Sequence, residues 1–302
     1  MSYQVILPSP ATPAQILVDL QQSLSNPALA GWNYLYGELN GISVPESVWA
    51  EADPAIDVTN GACCVFQLPS VGGDLGVVGI HYLDDIYFGD EPGDPVGPGV
   101  FLAAFPGGWQ NDPAGPKELA TTLGGLPCFV AADNYPIEEI RLFVNSRRAI
   151  ISCRDGDSEP LILAYVGFIQ SHYTDGVLGV EPDPNPLLVT GGNNRIPSNL
   201  APMQMLSTTN VPISYKCSVP FRTDDNTEML EAMQYNTRTT LPTRSLFPCV
   251  VGCDAVGMAE IRGELEGVFH YGPTDSLALD TVVTRGTANY LVIDHLALGP
   301  IT

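Results

Sequence analysis

Four arginines stand out in this sequence because they crowd into a short stretch of an otherwise acidic chain. Arg141, Arg147, Arg148 and Arg154 lie within fourteen positions, whereas the preceding 140 residues contain a single basic residue, Lys117. Guanidinium groups bind carboxylates through directed hydrogen bonds. We therefore treat the four arginines as interface candidates, expected to meet acids of the preceding region or of another copy of the chain. The alternative is that these arginines lie at strand ends and are exposed to solvent.

The remaining reactive side chains do not form a recognisable catalytic motif. The GxSxG, HExxH and P-loop motifs are absent, and each of the four histidines stands alone. His81 and His295 lie in runs typical of strands, where a hydrogen-bonded histidine is commoner than a catalytic one. His172, next to Tyr173, ends a strand and could be a base, but nothing in the sequence identifies a nucleophile for it, and His270 stands alone. We predict no catalytic residue, no cofactor and no metal ligand.

Acidic and sulfur-containing residues leave other interpretations open. The tract from Asp84 to Asp94 carries five acids that could bind Ca²⁺, but their spacing does not match an EF-hand, which favours a solvated turn. Carboxylate pairs in LDD, RDGDSE and EIRGELEG could serve a glycosidase.

The seven cysteines form no CxxC pair, so we expect buried, reduced thiols.

The elements that must position the arginines are predicted to be strands. The chain has 30 Gly and 27 Pro spread along its length, which is typical of many short strands joined by turns. A three-stranded meander is predicted with strands Ile140–Val144, Arg148–Cys153 and Leu161–Ile169. Because consecutive side chains of a strand point to opposite faces, one of Arg147 and Arg148 is expected in the turn.

One helix is predicted near the start of the sequence. Thr12 can cap it, Pro13 suits its first position, and apolar residues follow at helical spacing until Asn26 and Pro27 end it. The run DDNTEMLEAMQYN could add a second helix. The fold class is therefore mainly β, with antiparallel, sandwich-like sheets, one or two short helices, and extended Pro/Gly-rich arms.

A Pro-rich tract from Ser171 to Pro202 suggests a division of the chain or an extended arm. We expect an acidic β-rich domain at residues 1–190, which contains the helix and the meander. A smaller β-rich domain is expected at residues 191–302.

The charge distribution restricts the classes of partner. The net charge is −22, and residues 1–140 hold seventeen acids against one base. Such a surface opposes direct binding of nucleic-acid phosphates and suits a basic partner, a DNA conduit or simple solubility. A secretory signal is not apparent at the start, and no apolar run reaches the length of a membrane span.

Several segments resemble virion structural proteins of tailed bacteriophages. They are FVNSRRAIISCR, AYVGFI, PLLVTGG, GELEGVFH and TANYLVIDHLAL. The resemblance covers most of residues 11–298 in patches, and the first half matches least. It implies a component of the neck, tail or baseplate, located in the virion after assembly in the host cytoplasm.

The expected function is thus structural and non-enzymatic. The partners would be further copies of the chain in a ring or another symmetric assembly, together with other virion proteins. The alternative is a glycan-cleaving or calcium-dependent glycan-binding β protein of a phage particle.

Overall fold

The computed structural model describes residues 3–7, 12–69, 76–84, 98–104, 128–132, 139–154, 160–168, 170–171, 187–193, 203–206, 212–213, 216–218, 246–255, 258–271, 281–293 and 296–301. Within these ranges the protein is mainly β, with three antiparallel sheets and three helical segments, so the predicted fold class is confirmed. Among the described helices, none has the length and apolar character needed to traverse a bilayer.

The strands are short and follow one another along the chain. In order they are β1 (Tyr3–Leu7), β2 (Asn33–Leu39), β3 (Ile42–Ser43), β4 (Cys63–Gln67), β5 (Val77–Leu83), β6 (Gly99–Ala104), β7 (Cys128–Ala132), β8 (Glu139–Val144), β9 (Arg148–Arg154), β10 (Pro160–Phe168), β11 (Gln170–Ser171), β12 (Leu187–Asn193), β13 (Met203–Leu206), β14 (Pro212–Ile213), β15 (Lys216–Ser218), β16 (Leu246–Ala255), β17 (Met258–Tyr271), β18 (Thr281–Arg285), β19 (Ala288–Ile293) and β20 (Leu296–Ile301).

The helices within the described residues all lie near the start of the chain. Helix α1 spans Pro13–Ser25, a 3-10 helix spans Glu46–Glu51, and α2 spans Pro54–Asp57. As predicted, Thr12 caps α1: its Oγ1 accepts from the Gln15 backbone N–H at 3.2 Å. The second predicted helix, in residues 224–236, lies outside the described residues.

Each sheet has a simple neighbour order. The N-terminal sheet runs β3-β2-β4-β5-β6-β7, and the middle sheet runs β1-β8-β9-β10-β12-β13-β14. The C-terminal sheet runs β15-β16-β17-β20-β19-β18, and β11 also pairs with β17. The chain therefore passes from the middle to the C-terminal sheet directly after β10.

One apolar core joins α1 to the N-terminal and middle sheets. The buried face of α1 contacts β4, β5 and β6, and the same core continues onto β8, β9 and β10. Its fully buried members include Ile16, Leu20, Phe66, Ile80, Leu142 and Ile151. Burial of each such side chain contributes about 1.5–3 kcal/mol, so this layer fixes the middle sheet relative to the helix.

The predicted meander is confirmed as β8, β9 and β10, with each described end within one residue of its predicted position. The reading of residues 171–202 as irregular is wrong for part of that tract, since residues 187–193 form β12, paired with β10 and β13. The β-branched and apolar run LLVT favours a strand there despite the flanking prolines. The division of the chain at 190/191 stays a prediction.

Candidate functional site: the Asn145–Arg148 turn

The predicted basic cluster centres on the tight turn between β8 and β9. The Asn145 backbone N–H donates to the Arg148 carbonyl at 3.0 Å, which closes the turn. The Asn145 side-chain oxygen accepts from the backbone N–H groups of Arg147 and Arg148 at 2.8 and 2.9 Å. Asparagine is favoured in turns because its short side chain can bind the main chain in this way. The turn therefore holds two consecutive arginines in fixed directions.

Arg148 points inward and is 1% exposed. Its Nη1 donates to the Phe143 carbonyl at 2.8 Å. Burial lowers the pKa of Arg148, while the neighbouring Tyr165 and Glu266 raise it. Because an arginine stays charged at any ordinary pH, this site contains a desolvated cation held by main-chain and acidic groups.

Two glycines make room for the Arg148 side chain. A methyl group at Gly167 would overlap the Cβ of Arg148, and one at Gly267 would overlap its guanidinium. Gly267 also has φ +78, in the left-handed region where glycine is favoured, and its missing Cβ would lie 2.5 Å from the Gly299 carbonyl oxygen. The backbones of β10 and β17 therefore lie against Arg148 at these glycines, and the backbone of β20 lies beside Gly267.

Arg147 points outward to Glu266 on β17. Its Nε donates to Glu266 Oε2 at 2.6 Å, and the Asn145 amide donates to Glu266 Oε1 at 3.2 Å. The two charged side chains are 29% and 31% exposed. The Arg147 guanidinium carbon also lies 6.0 Å from the centroid of the Phe168 ring. Both carboxylate oxygens of Glu266 thus bind the turn.

The same turn also receives contacts from the other two sheets. Trp32, just before β2, is 2% exposed, and its indole N–H donates to the Asn145 carbonyl at 3.1 Å. The Phe168 backbone N–H, at the end of β10, donates to the Arg147 carbonyl at 3.0 Å. We name the set Trp32, Asn145, Arg147, Arg148, Phe168, Glu266 and Gly267 the three-sheet junction.

Tyr165, on β10, is a buried neighbour of Arg148. Its hydroxyl donates to the Phe168 carbonyl at 2.6 Å, and its ring is fully buried. Burial raises the pKa of Tyr165, so the phenol stays protonated and keeps donating this bond. The polar groups of the junction therefore hold structure in place: Arg148 and Tyr165 bind main-chain carbonyls, and Arg147 binds the Glu266 carboxylate.

The four predicted arginines have different locations. Arg147 and Arg148 meet at the junction, while Arg141 lies in β8 opposite Ser152 and is 9% exposed. Arg154 lies opposite Glu139 in the β8–β9 register; its side chain is outside the described set. Arg147 binds Glu266, in the second half of the same chain, whereas the sequence pointed to the first half or another copy. A role of these arginines between copies stays a prediction.

Four junction residues were missed from the sequence. Trp32, Phe168, Glu266 and Gly267 lie in runs that read as ordinary strand or strand entry. The Glu266 carboxylate binds an arginine 119 residues earlier in the chain. Only the pattern EGxF, a glycine inside a β run, signals a close backbone approach at Gly267.

The structure describes only some of the other residues considered as catalytic or metal-binding candidates. His81 lies in β5, 1% exposed, and directly opposite Cys63 in the sheet register. His172 and His295, and Asp85 to Asp94, lie outside the described residues, as does the side chain of His270. In the ranges given above, three or more His, Cys, Asp or Glu side chains nowhere cluster as a metal site would require. Cys63 and Cys64 are buried cysteines.

No protein-family model matches this chain, and no curated protein matches its sequence.

Proposed function

We propose that this chain is a non-enzymatic structural component of a tailed-phage virion, belonging to its neck, tail or baseplate. The observation that carries the proposal is the three-sheet junction. Two of the four clustered arginines, Arg147 and Arg148, bind one carboxylate and the main chain there. Such a use of charge sets the relative orientation of three sheets, which is what a shaped building block requires.

The segments that resemble phage structural proteins support the proposal by their location. FVNSRRAIISCR contains the turn, AYVGFI contains Phe168, GELEGVFH contains Glu266 and Gly267, and TANYLVIDHLAL leads to the strand that contains Gly299. The first two of these segments are separated from the last two by β12 to β16, and all four lie in or lead to strands that reach the turn. Four of the five segments that carry the resemblance are therefore connected with the junction.

The surface charge supports a role within a larger assembly. The first 140 residues contain one base, and acids such as Glu46, Glu51 and Asp53 are exposed. A surface of one sign repels identical surfaces and attracts basic ones. It would thus face a basic neighbouring protein or solvent in the virion.

The proposal is tested by locating the chain in purified particles. Mass spectrometry should detect it in stoichiometric amounts, and electron microscopy with a labelled chain should place it at the neck, tail or baseplate. Arg148→Ala should reduce incorporation through loss of the folded shape, while the exposed Arg285→Ala should leave it unchanged.

Two outcomes would contradict this proposal. The first is absence of the chain from purified particles. The second is turnover: release of sugar from host envelope by the purified chain, abolished by a single carboxylate substitution, would favour the glycan-cleaving alternative. A melting temperature that rises with calcium would favour the calcium-dependent one.

A further inference from the structure

The sequence contains the dipeptide Asn-Gly twice, at Asn40–Gly41 and at Asn60–Gly61, and the structure describes both. Asparagine before glycine is an especially reactive combination, because the glycine nitrogen can approach the side-chain amide carbon without hindrance from a Cβ. The intrinsic chemistry is the same at the two sites. A difference in their reactivity must therefore come from the fold.

The first dipeptide forms the turn between β2 and β3. Asn40 has φ +49 and Gly41 has φ +73, as in a type I′ turn, and they connect the register partners Leu39 and Ile42. Both turn residues are exposed, and a methyl group placed at Gly41 would meet nothing within 4 Å. Among the described groups, neither the Asn40 side chain nor the Gly41 N–H forms a hydrogen bond. The two groups that can react with each other are thus open to solvent.

The second dipeptide is held by hydrogen bonds at the start of β4. Gly61 is buried, and its N–H donates to the Tyr82 carbonyl at 2.9 Å. The Tyr82 N–H in turn donates to the Ala62 carbonyl at 2.8 Å. The Asn60 side-chain oxygen accepts from the Asp84 backbone N–H at 3.3 Å. Both the glycine nitrogen and the asparagine amide are therefore already engaged at this site.

We propose that Asn40 is a site of spontaneous deamidation in the folded protein, whereas Asn60 is protected from this reaction. The Gly41 nitrogen attacks the side-chain Cγ of Asn40 and forms a C–N bond, and the amide group leaves as ammonia with the proton lost by the Gly41 nitrogen. The product is a cyclic succinimide. Water then opens the ring at either carbonyl, which leaves aspartate or isoaspartate at position 40.

The fold permits the required motion at Asn40 and opposes it at Asn60. Attack needs rotation of the main chain between the asparagine and the glycine, and the space around Gly41 allows that rotation. Strand β3 has only two residues, so local opening of its hairpin costs little free energy. At Asn60 the same rotation breaks the bond from the buried Gly61 N–H to Tyr82, which leaves a polar group without a partner.

The modification changes both the charge and the geometry of this region. It adds a carboxylate to residues 12–69, a segment that contains no lysine or arginine. Isoaspartate also lengthens the main chain by one carbon, so a two-residue turn no longer fits the register of β2 and β3. The Asn40 N–H, which donates to the Asp57 carbonyl at 2.9 Å, is then displaced from the end of α2. The reaction is independent of the proposed role in a virion.

Peptide mass spectrometry compares the two sites within one sample of the full chain. A glutamate-specific protease separates them, because Glu46 and Glu51 lie between Asn40 and Asn60. After incubation of the folded protein at mildly alkaline pH, the Asn40 peptide should exchange NH2 for OH at least about tenfold faster than the Asn60 peptide, since one buried hydrogen bond must open at Asn60. An isoaspartyl methyltransferase with a labelled methyl donor should mark the Asn40 peptide.

The same chain unfolded in urea is the control, because unfolding removes the structural difference between the sites. The two peptides should then react at similar rates. In folded protein, Asn40→Gln should abolish the fast release of ammonia, and Asn60→Gln should leave it unchanged. Two results would overturn the inference: reaction of Asn60 as fast as Asn40 in the folded chain, or an Asn40 that reacts only after unfolding.

Discussion

Two hairpin turns of this protein have opposite surroundings. The Asn145–Arg148 turn between β8 and β9 is bound by Trp32, Phe168 and Glu266 from all three sheets. The Gly286–Thr287 turn between β18 and β19 is exposed, with open space around Gly286. Both turns join antiparallel strands through two central residues, and an arginine lies in or beside each turn.

The difference shows how tertiary context changes the role of similar residues. In the first turn polar groups are removed from water, so each needs a partner, and a change in one disturbs the others. In the second turn water solvates the exposed residues 284–287, so changes there are tolerated. The junction therefore fixes the positions of the strands around it, whereas the hairpin turn tolerates substitution.

The largest effect expected is that of a methyl group in the junction. Gly267→Ala should lower the free energy of unfolding by about 4 kcal/mol or more, because the methyl group meets the Gly299 carbonyl and the Arg148 guanidinium. Gly286→Ala, also at positive φ but in open space, should cost about 1–2 kcal/mol. Urea unfolding followed by tryptophan fluorescence compares the two. Equal losses would remove the distinction between the turns.

Removal of the buried cation should have the next largest effect. Arg148→Ala leaves a cavity and an unsatisfied Phe143 carbonyl, so we expect a loss of about 3 kcal/mol. Arg285→Ala in the exposed hairpin should change stability by less than about 0.5 kcal/mol. Thermal and urea unfolding of both variants give the measurement. A small effect at Arg148 would show that the neighbouring strands can close without it.

A double-mutant cycle should give a smaller value for the outer ion pair. Arg147→Ala, Glu266→Ala and the double variant should report a coupling of about 1 kcal/mol, because both side chains are partly exposed to water. The coupling should fall as salt is raised from low to high ionic strength. A coupling that is independent of salt would indicate that hydrogen bonding, rather than charge, links Arg147 to Glu266.

The smallest effect expected is at Asp19 on α1, which contrasts with the satisfied junction. Its Oδ1 accepts from the Gln15 amide at 2.8 Å, whereas among the described atoms its buried Oδ2 has no hydrogen-bond partner. Burial raises the pKa of Asp19, and the Gln15 bond lowers it by less. The folded state therefore retains the proton to higher pH than the unfolded state, so ionisation of Asp19 destabilises the protein at pH 7.

Asp19→Asn should accordingly raise stability at neutral pH by less than about 1 kcal/mol, since water still screens part of the carboxyl. The gain should shrink as pH falls through the folded-state pKa of Asp19, because the wild-type carboxyl becomes neutral too. Melting temperatures between pH 7 and pH 3 test this, with the exposed Glu51→Gln as the control. A gain that persists undiminished in acid would assign the effect to packing.

The elements that could be predicted have local causes. Thr12 and Pro13 specify the start of α1 because a cap and a fixed φ act within one helical turn. The meander follows from β-branched runs separated by an Asn-led turn, and its described strand ends lie within one residue of the predicted positions. β12 was missed because prolines flank its short apolar run, and because the strands that pair with it lie outside that run.

The sequence by itself determined the mainly β fold, the capped helix, the turn at Asn145 and the concentration of arginines around it, since backbone preferences act over a few residues. Tertiary structure decided that Arg148 is buried, that Glu266 binds Arg147 from 119 residues away, and that Gly167 and Gly267 admit the side chain. The reason is that burial and pairing depend on which strands become neighbours, and many distant residues together determine that packing.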